Sequence, residues 1–534
     1  MSIKNVVVVM ATLMCCYCIS MIEASKQFDA YRMLQFNGAA NSAIARFGPQ
    51  RSTLNAPSIG YLASLPLSAY SQATVVIADA EFTIDTLKAL LDADVSGVVV
   101  LLSNSASSKS ASSSSRSIGD METVAALDIK VPVYFVRSED FDASYLDGDY
   151  RLVVAGPTQT PITQTAVTNL AGIVRGQATE HSFAVPTILV VAHYDSFGAI
   201  PALTGTYGNE GASGVVALLE LSRFFSKLYA NAKNQGHHNV LFLLAGGSAS
   251  NFEGTQRWLE QQPAIVTDAI EYVLCLDSIG QAGSDLFLHV SRPPKDNATR
   301  QLYGEFTAAA TSFGAELHVV QKKINISNPY VYWEHEVFSR KKISAVTVSQ
   351  RPTATQQQQQ PVVVAEAPVD IATLKRNIKI VAKALISHIY HNERISSGIM
   401  SGVFDVNDSF LQSWIDSLQA TTRMHPFFDA LVPTNNNAGG EIGLVQGLER
   451  VMKNYLSEVT RDTVKLEAGN TNTYYQPAHV QMSFFHVKPF TFDLLVLGAT
   501  VLYLLAIYVV IRGPSEAFKE VMSFVSPLTK SKSK

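Results

Sequence analysis

Between residues 161 and 398, strongly apolar runs alternate with amphipathic segments. Four runs are nearly continuous in apolar residues, namely TNLAGIVRG, TILVVAHYD, NVLFLLAGG and EYVLCLDSIG. The segments GASGVVALLELSRFFSKLY and TQRWLEQQ have helical periodicity. Strands that are apolar on both faces and joined by helices are typical of a sheet covered on both sides. The pattern therefore predicts an α/β domain over 161–398, with a mixed, largely parallel sheet and helices on both faces.

The flanking segments predict smaller units. Short β-type runs near Val75, Val99 and Tyr134 predict a small α/β domain over 25–160. A Ser-rich segment, 103–117, interrupts it and has too little apolar surface to pack, which predicts a surface loop. Helical periodicity in LQSWIDSLQ and EIGLVQGLERVMKNYLSEV predicts a helical stem over 399–489. The apolar face of that stem fits either packing on the rest of the chain or contact with a partner.

Both ends of the chain carry membrane signals. Residues 1–24 contain a short apolar run and then small residues, which predicts a cleaved signal peptide, with an uncleaved anchor as the alternative. Residues 490–512 include an uncharged stretch long enough to span a bilayer, which favours a transmembrane helix over a buried core helix. Basic residues outnumber acidic ones in the tail, 513–534, so the tail should be cytosolic. These features predict a single-pass type I membrane protein whose bulk is lumenal or extracellular.

Short motifs add detail to this topology. Asn-x-Ser/Thr motifs on the predicted lumenal side permit N-glycosylation at Asn297, Asn325 and Asn407. Lys530 and Lys532 stand where a dilysine retrieval signal has its lysines, although an ordinary basic tail fits equally well.

The predicted span contains a group of small residues. Gly498 lies beside Ala499 and Thr500, and small residues allow another transmembrane helix to come close. We therefore expect Gly498 to face a partner's helix.

Composition excludes one class of function and constrains the compartment. The net charge is −4, and no stripe of Lys and Arg interleaved with aromatic residues occurs, so nucleic-acid binding has no support. Three of the four cysteines lie in the predicted signal peptide, which leaves only Cys275 and no intrachain disulfide. A large lumenal domain without disulfides suits an intracellular compartment better than the cell surface.

Ionisable side chains fall at the predicted strand ends, where ligand chemistry sits in such sheets. Co-catalytic dizinc sites combine imidazoles with carboxylates, one of which bridges the two ions. Candidates for such a set occur in a consistent order along the chain: His193, Asp195, Glu210, Asp277 and His335. Any one of them alone is more often a cap or a core hydrogen-bonding group, but together they indicate an ancestral metal site.

Over about residues 165 to 395 this order resembles the zinc aminopeptidase family that includes bacterial leucyl aminopeptidase, glutamate carboxypeptidase II and the pseudopeptidase nicastrin. His193 and Asp195 in HYDSFGA match the family's His-x-Asp motif. Asp277 in VLCLDSIG matches its strand-end Asp, and His335 in WEHEVF matches its late His. Glu210 takes the position of the bridging Asp and is one methylene longer.

The family's Glu-Glu pair is where the match fails. Alignment on Gly254-Thr255 brings Ser248 to the general-base position and Ala249 to the metal-ligand position. Serine cannot take a proton from metal-bound water near neutral pH, and alanine has no lone pair for a cation. For Glu253, the nearest acidic residue, to act as the general base, its loop would have to shift. The sequence predicts a pseudoenzyme without a metal or other cofactor, with an active membrane-anchored zinc aminopeptidase or carboxypeptidase as the alternative.

The combination of signal peptide, disulfide-free lumenal domain, stem, span and short basic tail resembles the nicastrin-related membrane proteins of the endoplasmic reticulum. That resemblance implies a non-catalytic scaffold subunit in the endoplasmic reticulum membrane. It implies a complex with the Nodal modulator protein and a small multi-pass membrane protein. It also implies association with the Sec61 translocon and the ribosome during insertion of multi-pass membrane proteins.

Overall fold

The computed structural model of the chain describes residues 26–38, 46–102, 127–142, 146, 150–154, 159–162, 166–177, 185–203, 210–294, 297–328, 331–353, 369–391, 401–424, 443–466, 473–486, 490–513 and 515. Within these ranges the strands are β1 Lys26–Arg32, β2 Phe36–Asn37, β3 Arg46–Pro49, β4 Leu54–Gly60, β5 Thr74–Ala78, β6 Gly97–Leu102, β7 Asp128–Ile129, β8 Val133–Arg137, β9 Tyr150–Val154, β10 Thr160–Pro161, β11 Ala166–Val174, β12 Thr187–His193, β13 Asn239–Ala245, β14 Ile270–Leu276, β15 Asp285–Val290, β16 Glu316–Gln321, β17 Ala345–Ser349, β18 Ser457–Lys465, β19 Thr473–Gln476 and β20 His479–His486. The α-helices are α1 Ile84–Asp92, α2 Glu210–Tyr229, α3 Glu253–Gln261, α4 Ala264–Ala269, α5 Asn297–Ser312, α6 His335–Arg340, α7 Ile371–Tyr390, α8 Asp408–Ala420, α9 Leu444–Tyr455 and α10 Phe490–Arg512.

The largest sheet has the order β16-β15-β17-β14-β12-β13-β11-β18. Its centre, from β13 through β12 and β14 to β17, is parallel, and β11 and β18 add antiparallel strands at one edge. Alternate residues of β12 face opposite sides: Ile188 and Val190 join the core with α2, α5 and α7, whereas Leu189 and Val191 join the core with α3 and α6. The predicted mixed, largely parallel sheet covered on both faces is confirmed.

Helix α2 packs closely against the carboxyl end of β14. A Cβ added at Gly214 would lie 2.4 Å from the backbone oxygen of Leu276, so only glycine fits there without moving the helix. This contact holds α2 against the edge of the sheet at which the candidate site lies.

The amino-terminal region forms a closed barrel of strands in the order β1-β20-β9-β4-β5-β6-β8. The run β4-β5-β6-β8 is parallel, with α1 connecting β5 to β6, and β8 closes the barrel by pairing antiparallel with β1. Strand β20 comes from residues 479–486 and fills the gap between β1 and β9. The small α/β unit predicted over 25–160 therefore includes a strand from near the carboxyl terminus.

The segment 399–489 is only partly the helical stem that the sequence predicts. Helices α8 and α9 are present, but the chain then forms β18, β19 and β20. Strand β18 extends the large sheet beside β11, and β20 places Val480, Met482 and Phe484 in the barrel core. Alternation with a period of two directs those three side chains to one face, so a strand forms where a helix was expected.

The two helices of the predicted stem pack on the rest of the chain. Leu411 of α8 and Met452 of α9 are fully buried in the main core. Of the two uses that the sequence left open for the apolar face of the stem, the structure shows the first.

Helix α10 has the length and composition of a membrane span. Residues Asp493–Ile511 have a mean hydropathy of 2.7, and none of this stretch is buried inside the protein. Among the described residues it is the one helix that meets both criteria, which is consistent with a single-pass membrane protein. The predicted signal peptide 1–24, the Ser-rich loop 103–117, Lys530 and Lys532 lie outside the described residues and stay predictions.

Candidate functional site

The parallel strands bring ionisable residues together at one edge of the large sheet. His193 is the last residue of β12, Asp277 directly follows β14, and Arg351 lies two residues beyond β17. The turn after β13 contributes Ser248. This is the edge at which open α/β sheets bind ligands, and the sequence predicts a site there.

The negative charge of Asp277 is balanced by an arginine. Nη2 of Arg351 donates a hydrogen bond to Oδ2 of Asp277 at 2.5 Å, and Oγ of Ser278 donates to Oδ1 at 3.0 Å. Burial raises the pKa of Asp277, but the charges of Arg351 and His193 and the hydrogen bonds outweigh it and lower the pKa below its usual value. Asp277 is therefore a carboxylate whose charge is balanced by a guanidinium.

His193 lies between two carboxylates. Its Nε2 is 3.8 Å from Oδ1 of Asp277, and its Nδ1 is 3.8 Å from Oε2 of Glu334. Burial lowers the pKa of His193, but Glu334, Asp277 and Asp195 raise it to about 9. The carboxylates on both sides therefore favour the protonated, positively charged form of the ring.

Glu334 and its neighbour His335 have different surroundings. Oγ1 of Thr255 donates to Oε1 of Glu334 at 2.6 Å, while the other oxygen faces His193. Nδ1 of His335 lies 2.8 Å from Oγ1 of Thr347, and burial lowers the pKa of His335 to about 3. The WEHEVF segment therefore contributes Glu334 to the contacts of His193, where the sequence comparison selected His335.

Sequence reasoning missed Glu334 and Arg351 because neither belongs to the family motif. A signal for Glu334 was its position one residue before the His335 match. A signal for Arg351 was its position just beyond the apolar strand SAVTVSQ, at the same sheet edge as Asp277.

The remaining site candidates are Asp195, Glu210 and Ala249. Asp195 is buried and accepts a hydrogen bond from the backbone N–H of Ser248, 2.9 Å from Oδ2. Glu210 begins α2, and Ala249 lies in the short 3₁₀ turn Ser248–Ser250, but their side chains lie outside the described part of the structure.

His193 and Asp277 form an ion pair without a hydrogen bond. Their closest nitrogen and oxygen are 3.8 Å apart, which is too long for a hydrogen bond.

Three residues with positive φ lie in the loops beside this cluster. Ser278, Asn251 and Phe252 have φ values of 51°, 60° and 54°, in the left-handed region that non-glycine residues rarely adopt. The ring of Phe252 packs edge-on against His193, with centroids 6.0 Å apart. Such conformations persist only where surrounding contacts enforce them, so the loops at this edge are firmly held.

Among the side chains that the structure describes, which do not include that of Glu210, the cluster does not present three ligand atoms to one metal ion. Ligand atoms around tetrahedral zinc, with bonds of about 2.0–2.1 Å, lie roughly 3.3 Å apart. In the part of the chain that the structure describes, no three ligand atoms from this cluster lie within 4.8 Å of one another. The two nitrogens of His193 face different carboxylates, and an oxygen of Asp277 is held by Arg351. The arrangement is an ion-pair network.

The other sequence-predicted residues lie on the surface. Asn297 begins α5, Asn325 lies in a turn where its Oδ1 accepts from the N–H of Ser327 at 3.0 Å, and Asn407 caps α8. All three asparagines are exposed, and Gly498 is exposed on α10. Glycosylation and helix contact at these positions stay predictions.

Comparison with known proteins agrees with this architecture. Residues 169–385 match the profile of peptidase family M28. The crystal structure of nicastrin, described as a component of gamma-secretase, superposes with a TM-score of 0.57 at 10% identity, covering 86% of this chain and 99% of that chain. The chain thus has the aminopeptidase-like fold of the M28 peptidases, in the arrangement found in nicastrin.

Two proteins from animals are similar to this chain in sequence. The Homo sapiens protein named BOS complex subunit NCLN is 27% identical over 93% of this chain and 91% of its own length. The Caenorhabditis elegans protein named nicalin is 27% identical over 40% of this chain and 41% of its own length. The predicted resemblance to a nicastrin-related membrane protein is confirmed and narrows to nicalin.

Proposed function

We propose that the chain is a non-catalytic subunit of a protein complex in the endoplasmic reticulum membrane. Support comes from its similarity over 93% of its length to a protein named as a subunit of the BOS complex. The proposed partners are the Nodal modulator protein and a small multi-pass membrane protein. The complex would assist insertion of multi-pass membrane proteins beside the Sec61 translocon and the ribosome.

The observation that carries the non-catalytic assignment is the ion pair of Arg351 and Asp277. The guanidinium binds one oxygen of the carboxylate at 2.5 Å and so balances the charge that a metal ion would otherwise balance. Arginine keeps its charge at all physiological pH values, so this positive charge is permanent. The carboxylates around His193 raise its pKa to about 9, so its charged form is the partner of Asp277 and Glu334 in the same network.

The proposed loss of the catalytic pair fits the same geometry. Ser248 and Ala249 are proposed to replace the general base and the ligand, and the backbone N–H of Ser248 is used to bind Asp195. Metal-assisted hydrolysis needs a carboxylate near the attacking water, and neither residue supplies one. This argues against the alternative of an active membrane-anchored zinc aminopeptidase or carboxypeptidase.

The proposed topology rests on α10. Its exposed apolar surface would lie in the bilayer, with the barrel and the large sheet on the lumenal side. A cytosolic tail carrying Lys530 and Lys532 would serve retrieval to the endoplasmic reticulum. The surfaces of the folded part are then available to contact lumenal partners.

The test is purification of the tagged full-length chain in a mild detergent, followed by identification of the proteins that elute with it. We expect the Nodal modulator protein and one small multi-pass protein in fixed ratio to the chain, with no chelator-sensitive peptidase activity. A tagged single-span protein of the same membrane serves as control. Elution as a free chain with two tightly bound zinc ions and chelator-sensitive activity would contradict the proposal.

A further inference from the structure

A second group of ionisable residues lies at the opposite edge of the large sheet, at the amino ends of the strands. His238 directly precedes β13, and Glu271 is the second residue of β14. His388 comes from the last turn of α7, which packs over this edge. None of these residues belongs to the aminopeptidase-type motif, and the proposed function makes no use of them.

The three side chains converge on one point. Nε2 of His238 lies 3.0 Å from Oε2 of Glu271, and Nε2 of His388 lies 3.3 Å from Oε1 of the same carboxylate. One ligand atom from each residue lies within 4.8 Å of the other two. The two rings are tilted against each other with centroids 5.6 Å apart, so each presents its Nε2 to the shared carboxylate.

The imidazoles of His238 and His388 are buried, whereas the carboxylate of Glu271 faces a cavity. His238 and His388 are only 6% and 3% exposed, and their Nδ1 atoms have no hydrogen-bond partner among the described residues. Glu271 keeps a third of its side chain exposed. It lines a cavity of about 240 Å³ together with His388, Thr299 and Ser344.

The backbone around His238 is held in place. Its carbonyl oxygen accepts a hydrogen bond from the hydroxyl of Tyr229 at 3.1 Å. A Cβ added at Gly176 would lie 2.4 Å from the same oxygen, so the neighbouring chain packs tightly against it. His238 is therefore presented on a rigid support, as a ligand needs to be.

Spacing and residue type together match a transition-metal site. Separations of 3.0 and 3.3 Å are close to the roughly 3.3 Å between ligand atoms of tetrahedral zinc. Two imidazoles and one carboxylate are a ligand set that zinc uses where one position stays open, and the cavity gives that position access to water. We propose that His238, Glu271 and His388 bind one divalent transition-metal ion of the zinc class.

The test is zinc binding by the full-length chain in detergent, after chelator treatment and dialysis. Zn²⁺ is titrated in competition with a chromophoric chelator, and Co²⁺ absorption reports the coordination. The variant is Glu271→Gln, which keeps the shape of a partly exposed side chain. The matched control is His318→Gln, in the exposed group Asp285, Glu316 and His318, whose ligand atoms also lie within 4.8 Å of one another.

We expect one tight zinc ion per chain, with affinity about 100-fold lower in Glu271→Gln and unchanged in His318→Gln. A second variant, His388→Gln, should show the same loss, and thermal unfolding without metal identifies any variant that fails to fold. A His193→Gln variant should bind zinc normally, which separates this site from the ion-pair network and from the proposed function. Absence of zinc binding by the folded wild-type chain, or equal affinity in Glu271→Gln, would overturn the proposal.

Discussion

At the residue scale, the main feature of the candidate site is a guanidinium that binds a buried strand-end carboxylate. Asp277 and His193 lie where the resemblance to zinc aminopeptidases puts metal ligands, yet Arg351 binds the carboxylate, and carboxylates raise the pKa of the imidazole to about 9. A buried carboxylate needs a counter-charge, and a guanidinium supplies it permanently. The strand-end residues that the structure describes therefore balance each other's charges.

Removing the Arg351 side chain should destabilise the folded protein. Arg351→Met leaves Asp277 buried without its closest counter-charge and should lower the free energy of unfolding by about 3 kcal/mol. Arg351→Met with Asp277→Asn should recover most of that loss. Urea unfolding of the detergent-solubilised chain, followed by tryptophan fluorescence, measures the change.

The control for this prediction is Arg175→Met, which breaks the exposed pair with Glu458 and should change stability little. Equal loss in the double variant and in Arg351→Met alone would show that Asp277 does not depend on the arginine.

Stability should fall as the pH rises from about 6.5 to 9. His193 has a folded pKa of about 9 against an ordinary value of 6.5, so its stabilising charge is fully present below pH 6.5 and is lost as the pH passes 9. Each pH unit between these values lowers the free energy of unfolding by about 1.4 kcal/mol, so the total loss is at most about 3 kcal/mol. Unfolding titrations at a series of pH values measure the slope, and His193→Gln should flatten it. An unchanged slope in that variant would assign the effect to another group.

At the element scale, the sequence predicts the central sheet well and the barrel poorly. The strands β12, β13 and β14 are apolar on both faces, so each local run carries its own signal. Strand β20 follows helical segments near one end of the chain and pairs with β1 near the other, and no local pattern shows such a pairing. In the site, His193 and Asp277 were predictable as strand-end residues. Arg351 and Glu334 were not, because only the folded loops bring them to their partners.

The contact between α2 and β14 can be tested at one glycine. Gly214→Ala places a methyl group 2.4 Å from the backbone oxygen of Leu276, so the helix must move, at a cost of about 1–3 kcal/mol. Gly304→Ala is the matched control, because a Cβ at that exposed position on α5 meets nothing within 4 Å and should stabilise by up to about 1 kcal/mol. Thermal unfolding compares the two. Equal and small effects would mean that α2 does not pack as tightly as the structure shows.

At the scale of the whole molecule, a large folded region is joined to a single apolar helix. The stem helices α8 and α9 are used in the protein's own core, so α10 and the outer surfaces remain for partners. Within α10, Gly498 leaves open space where a Cβ would be. Small residues on a span permit close approach of a second helix.

A larger side chain at Gly498 should weaken the proposed contact of α10 with another transmembrane helix and leave other contacts intact. If the proposed partners bind, Gly498→Leu should release the small multi-pass protein, because the added side chain prevents close helix packing, while the proposed lumenal contact with the Nodal modulator protein persists at least partly. The control is Val496→Leu, two residues away and so on the opposite face of the helix. Quantitative co-purification measures both partners, and full retention of the multi-pass protein in Gly498→Leu would show that α10 is only an anchor.

The proposed function requires that the chain work through assembly, without chemistry at the site of His193 and Asp277. The decisive experiment is to express the charge-neutral double variant Asp277→Asn with Arg351→Gln in cells that lack the native chain. The measurement is the amount of a multi-pass reporter protein inserted into the membrane per molecule of tagged chain. We expect insertion per chain to equal that of the wild type wherever the variant accumulates. Loss of insertion by a variant that is folded, abundant and bound to its partners would show that this site has a chemical role.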